Sequence, residues 1–116
     1  MHPHIAQIKD YHRRKKKEEE LRKEKLRLLC HANIYNILQN YINKHPYTEI
    51  YLFGSITQKN KFHQSSDIDI AIKNIPESRL DLYARWSTET GREIDIVLLE
   101  KCDFVEHIYN YGERVV

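Results

Sequence analysis

Residues 52–72 read LFGSITQKNKFHQSSDIDIAI: an apolar run ends in Gly54-Ser55, a polar and basic loop follows, and Asp67 and Asp69 then interrupt a β-branched run at a spacing of two. Packing alone does not call for that pattern. In a strand, residues i and i+2 project to the same side, so both carboxylates point together while Ile68, Ile70 and Ile72 face the other way. Two like charges held this close raise each other's cost of ionisation. A divalent cation removes the cost, and Mg²⁺ is usually held by one or two carboxylates together with substrate phosphates. The pair therefore reads first as a metal site.

A second acid belongs to the same reading. Glu93-Ile94-Asp95-Ile96-Val97-Leu98-Leu99 is another short apolar strand, and Asp is a poor strand former. Ile94, Ile96 and Leu98 share one face, and Asp95 lies on the opposite one with Val97 and Leu99. If the two strands are neighbours, three carboxylates converge beside a glycine-serine turn. That suggests two-metal phosphoryl or nucleotidyl transfer, in which cations clamp the attacking and leaving oxygens. The plainer alternative places each Asp on a solvent face, where acids are ordinary.

Gly54-Ser55, eleven residues, Asp67-Ile68-Asp69 and then Asp95 on a later strand resembles the GS…DxD…D signature of the DNA polymerase β-like nucleotidyltransferases. The wording SSDIDIAI and EIDIVLLE is similar to the minimal nucleotidyltransferases of that superfamily, the MntA-type antitoxins paired with HEPN toxins. The resemblance covers about residues 48–100. The loop before Asp67 is one residue longer than is usual in that family, which bears on loop contacts more than on the acids.

The resemblance implies a polymerase β-like fold and transfer of AMP from ATP to a hydroxyl with release of pyrophosphate. Asp67, Asp69 and Asp95 would be the catalytic residues and the ligands of two Mg²⁺ ions, with Asp95 helping to deprotonate the attacking hydroxyl. Gly54, Ser55, Ser66 and Lys61 would bind the nucleotide. The acceptor would be a tyrosine hydroxyl on a HEPN-family ribonuclease toxin, silenced by AMPylation. Two other readings remain: a non-catalytic antitoxin that inhibits by contact, and a small-molecule nucleotidyltransferase subunit whose partner completes the site.

At 116 residues the chain is expected to hold a single core, with no room for a separate substrate-binding domain. Residues 1–29 carry ten Lys/Arg and five Asp/Glu, a net +5, which leaves −3 for residues 30–116 of the overall +2. The basic part is thus the N-terminal segment. Residues 1–25 read as a charged helical extension and 26–116 as the nucleotidyltransferase domain. In the extension, Glu18 with Arg22 and Glu19 with Lys23 stand at the favourable i,i+4 spacing. Acids follow the basic cluster Arg13 to Lys17 directly, so it reads as a solvated helix face, and no direct nucleic-acid binding is expected.

Residues 1–10 read as loosely held; His2 and His4 lack further ligands and make only a weak metal site. From Asp10 to about Lys44 there is neither Gly nor Pro, which predicts one long helix or two with a bend. Its second half carries an apolar stripe of Leu26, Leu29, Cys30, Ile34, Ile37, Leu38, Tyr41 and Ile42, and Pro46 stops it. Strands are predicted over 47–53, around 68–72 and over 93–99. A helix follows Pro76-Glu77-Ser78, with Leu80, Leu82, Tyr83 and Trp86 on its apolar side and Gly91 as its stop; another runs over 101–111. The tail from Gly112 carries no signal.

The resulting class is α+β, close to α/β: a small mixed sheet with helices on one face and acids on the other, its strand order left open. Cys30 and Cys102 fit neither a disulfide framework nor a ligand spacing. Residues 1–17 contain no apolar run of the kind a leader carries, and a span of about 18 apolar residues is nowhere found in the sequence. A cytoplasmic protein without membrane contact is expected.

Overall fold

The computed structural model describes residues 3–116, with side chains from residue 4. Helix α1 runs unbroken over Pro3–Lys44, and at about 1.5 Å per residue its 42 residues account for the 65 Å length of the molecule. It starts earlier than the sequence suggested, because proline suits the first helical position, where its missing N–H would have no partner. Met1 and His2 lie outside the described residues. Every side chain from residue 4 to 19 is exposed, and ion pairs form at Asp10–Arg14 and Lys15–Glu18 in place of the two expected.

The remaining elements are β1 (Glu49–Phe53), β2 (Ile68–Lys73), α2 (Arg79–Thr90), β3 (Ile94–Leu98), α3 (Val105–Tyr111) and β4 (Glu113–Arg114). Single 3-10 turns occupy Gly54–Thr57 and Leu99–Lys101. The second turn and α3 replace the one helix expected over 101–111. The sheet order is β3-β2-β1-β4. β1 is antiparallel to both neighbours, and β2 is parallel to β3, with α2 as the crossover that a parallel pair requires.

One face of the sheet carries the main core. Ile34, Leu38 and Tyr41 of α1 pack with Ile50, Leu52, Ile68, Ile70 and Ile72 of the sheet and with Leu82 and Trp86 of α2. Each fully buried aliphatic side chain there contributes roughly 1.5–3 kcal/mol. Trp86 lies edge-on to Tyr41 with centroids 5.3 Å apart. Two residues assigned to apolar stripes do not reach this core: Leu29 is 69% exposed and Leu80 is 73% exposed. The surface their helices bury is narrower than the apolar pattern.

α1 and α2 cover this face as expected, and the acids lie on the other. α3 shares the acid face, where Tyr51, Ala71, Leu99 and Ile108 form a second, smaller cluster. The C-terminal tail is a structural part of the sheet. Val115 is buried and its N–H donates to the Ile50 carbonyl at 2.9 Å. Glu113 bonds His31 of α1, and the Gln39 amide donates to the Val116 carbonyl at 2.8 Å. Cys30 and Cys102 are free and half-buried. No helix among the described residues is long and apolar enough to cross a membrane.

Candidate active site

Strand register gathers the acids. In the parallel pair Asp69 stands opposite Asp95, and in the antiparallel pair it stands opposite Phe53, so Asp69 lies in the middle of a row that crosses three strands. Asp67 comes one residue ahead of β2. Ile68, Ile70 and Ile72 are fully buried on the far side, and this anchors the register, since a slip of one residue would put carboxylates into the core.

The three carboxylates differ in environment. Asp67 and Asp95 are exposed, whereas Asp69 is half-buried. Burial first, then the charges of Asp95 and Asp67, push the Asp69 carboxyl up from 3.8 to about 6. Burial is the larger cause and the two neighbouring acids add to it, so a nearby cation would relieve a real cost at Asp69.

Gly54 meets Asp69 directly. Its φ is +73°, a left-handed conformation that disfavours side chains, and a Cβ there would come within 2.3 Å of Asp69 Oδ2. Glycine is therefore needed at the turn to admit the carboxylate as well as to shape the backbone. The turn is pinned by the Thr57 hydroxyl, which donates to the Gly54 carbonyl at 2.8 Å, and by Arg27 of α1, which donates to the Ile56 carbonyl at 3.2 Å. Ser55 is half-buried within it.

The loop leading to Asp67 is clasped from the far end of the site. One guanidinium nitrogen of Arg92 donates to the carbonyls of His63 (3.0 Å) and Ser66 (2.6 Å), and the group lies over the Phe62 ring at 4.6 Å. The Ser66 hydroxyl accepts the His63 N–H at 2.9 Å. Lys61 is exposed on the loop, and no contact among the described residues joins it to the acids. Sequence reading passed over Arg92 and Thr57. Arg92 stands three residues before Asp95 in a turn, with no periodicity to mark it.

Among the described residues no group of three or more His, Cys, Asp and Glu side chains forms a ready-made metal cage. The residues nonetheless fit Mg²⁺, which keeps few protein ligands and completes its shell with water and phosphate oxygens. Asp69 between two further acids supplies the required charge.

The family model described as "Polymerase beta, Nucleotidyltransferase" matches residues 32–116. The chain belongs to this family. Solved structures agree in fold. A toxin–antitoxin structure with AMP-PNP superimposes with a TM-score of 0.58 at 24% identity, covering 71% of this chain and 72% of that one. An MntA–HpeT toxin–antitoxin structure with two aspartates changed to glutamate gives 0.56 at 22%, covering 71% of each chain. Another mutant of that pair, with a tyrosine changed to alanine, gives 0.54 at 25% over 70% of each. A search of curated protein sequences finds no significant match. As a polymerase beta-type nucleotidyltransferase, the chain carries its Gly-Ser turn and its three acids on one face, and the likeness to MntA-type proteins read from the sequence recurs in three dimensions.

Proposed function

We propose that the protein is an antitoxin of the MntA type, acting in the cytoplasm, that transfers AMP from ATP to a tyrosine hydroxyl of a HEPN-family ribonuclease toxin and so neutralises it. The observation that carries this reading is the half-buried Asp69, raised to about 6 by burial and by Asp95 and Asp67, at the centre of a nucleotidyltransferase family domain. Support for the partner comes from the toxin–antitoxin structures of the same fold, one of them with AMP-PNP.

In this reading Gly54 and Ser55 hold the β- and γ-phosphates, and Ser66 and Lys61 flank the nucleotide. Two Mg²⁺ ions held by Asp67, Asp69 and Asp95 would neutralise phosphate charge and sharpen the attacking hydroxyl. The acceptor oxygen forms its bond to the α-phosphorus as the bond to the bridging oxygen breaks. Pyrophosphate leaves, and the hydroxyl proton passes to Asp95. Asp95 is exposed and lies on β3, an edge strand of the sheet, which leaves it open to a hydroxyl presented by another protein.

The test is the intact mass of the toxin, taken as the product of the neighbouring gene, after incubation with this protein, ATP and Mg²⁺. One or more added AMP units are expected, and none when Asp67 and Asp69 are both Asn. An unmodified toxin that is nevertheless neutralised would replace this reading with inhibition by contact.

A further inference from the structure

Residues 4–31 of α1 lie ahead of the stretch that matches the nucleotidyltransferase family, so the family fold does not account for their exposed side. Six large apolar side chains are exposed there: Ile5, Ile8, Tyr11, Leu21, Leu28 and Leu29. A solvated helix gains nothing from showing them to water. Residues 4, 8, 11, 15, 18, 22, 25 and 29 follow the alternating spacing of four and three that makes the seam of a coiled coil, and every one of them is exposed. Ile8, Tyr11 and Leu29 lie on this seam, and Ile5, Leu21 and Leu28 flank it directly. On the opposite side of the helix, each position from 6 to 27 except Ala6 carries a charge.

The middle of the seam is charged, with Lys15, Glu18, Arg22 and Lys25, and the order of these charges selects the occupant. A parallel second copy would set each of them against itself, like charge on like. An antiparallel copy, related by a two-fold axis between residues 16 and 17, sets Lys15 against Glu18, Tyr11 against Arg22, Ile8 against the aliphatic stem of Lys25, and Leu29 against His4. Each contact occurs twice, as a two-fold interface requires. Opposite charges meet at the axis, a guanidinium meets a ring, and a lysine stem covers an isoleucine. Beside the seam Arg14 faces Leu21 and His12 faces Glu19, so no like charges oppose one another. Within one chain Lys15 already lies 3.9 Å from Glu18 and 5.8 Å from the centre of the Tyr11 ring, and the axis would join two such groups into one network.

We propose that residues 4–29 of α1 pair antiparallel with the same segment of a second copy, so that the protein is a two-fold dimer joined through its N-terminal helix. The seam is open to a partner along its length: Lys25 and Leu29 are exposed, while Leu26 and Cys30 turn inward to the core. The two nucleotidyltransferase domains would stand at opposite ends of a paired rod roughly 40 Å long, at 1.5 Å per residue. Polar residues in a seam cost stability while they fix orientation. The dimer is therefore a weak one, dependent on concentration and loosened by salt. It does not depend on the transfer chemistry proposed above.

The experiment is sedimentation equilibrium of the full chain over a dilution series at low salt, with circular dichroism to follow helix content. The parent should show a concentration-dependent equilibrium between monomer and dimer. Lys15→Glu and Glu18→Lys should each weaken it by about tenfold or more, because each sets like charges across the axis twice. The geometry also requires two restorations. An equimolar mixture of the two single variants should form a heterodimer, and the double variant Lys15→Glu/Glu18→Lys should associate as the parent does. A parent that stays monomeric throughout the series would overturn the proposal, and so would single variants as dimeric as the parent, the result of parallel pairing. A mixture that associates no better than its components, or a double variant that stays monomeric, would overturn it equally.

Discussion

Gly54 and Asp69 form a matched pair: the carboxylate occupies the place of a missing side chain, and the turn keeps a conformation that glycine tolerates. The same closeness makes Asp69 expensive to ionise. Its folded pKa of about 6 lies above the ordinary 3.8, so the folded state holds the proton more tightly than the unfolded chain does. This group therefore favours the metal-free fold below about pH 4 and loses that contribution as pH rises to about 6. Asn cannot ionise. In EDTA, Asp69→Asn should be more stable than the parent at pH 7.5, by about 1–2 kcal/mol after allowance for solvent around a half-exposed group, and should show little such gain at pH 4. Denaturant midpoints at the two pH values check this, and the same gain at both would mean that ionisation of Asp69 is not what burdens the fold. Mg²⁺ should then raise the parent's midpoint more than the variant's.

Helix α1 shows what an element owes to its neighbours. Residues 4–19 are exposed and are helical through local propensity and ion pairs such as Asp10–Arg14 and Lys15–Glu18, and the apolar stripe that follows is buried only where α2 and the sheet stand against it. Ile34 is fully buried and Ile37 only half-buried. Ile34→Ala should cost about 2–4 kcal/mol and Ile37→Ala less than half of that, read from urea midpoints at constant m-value. Equal midpoints for both would mean that α1 packs with another face inward. Spacing was enough to find α1, α2 and the three main strands, because periodicities of 3.6 and 2 are local properties. It did not find β4, whose two residues pair with β1 in a tail also held by His31 and Gln39 of α1, contacts distant in sequence that leave no local pattern. Nor could it separate Leu29 and Leu80 from their buried neighbours, since exposure is decided by where the packing partner ends.

In the whole molecule, three acids separated by up to 28 positions in sequence meet because parallel pairing sets β2 beside β3 with Asp69 opposite Asp95. The DxD spacing and the lone Asp95 were visible as chemistry out of place in strands. The clasp of Arg92 on the loop was not, because its partners are backbone carbonyls, which leave no mark in a sequence. The arrangement also separates two ways of neutralising a toxin. Asp95 is exposed on an edge strand, and in the proposed reaction it serves chiefly the transition state, where the attacking oxygen gains charge. Asp95→Asn keeps the size and shape of the side chain, so the complex with the toxin should form with near-parental affinity. Adduct formation should fall by about two orders of magnitude or more, the usual loss when acid-base assistance is removed, and rescue of growth should fall with it. Intact mass of the toxin beside a growth assay decides the matter: a variant that adds no AMP and still rescues fully would show that contact alone silences the toxin, with the three acids serving some other reaction.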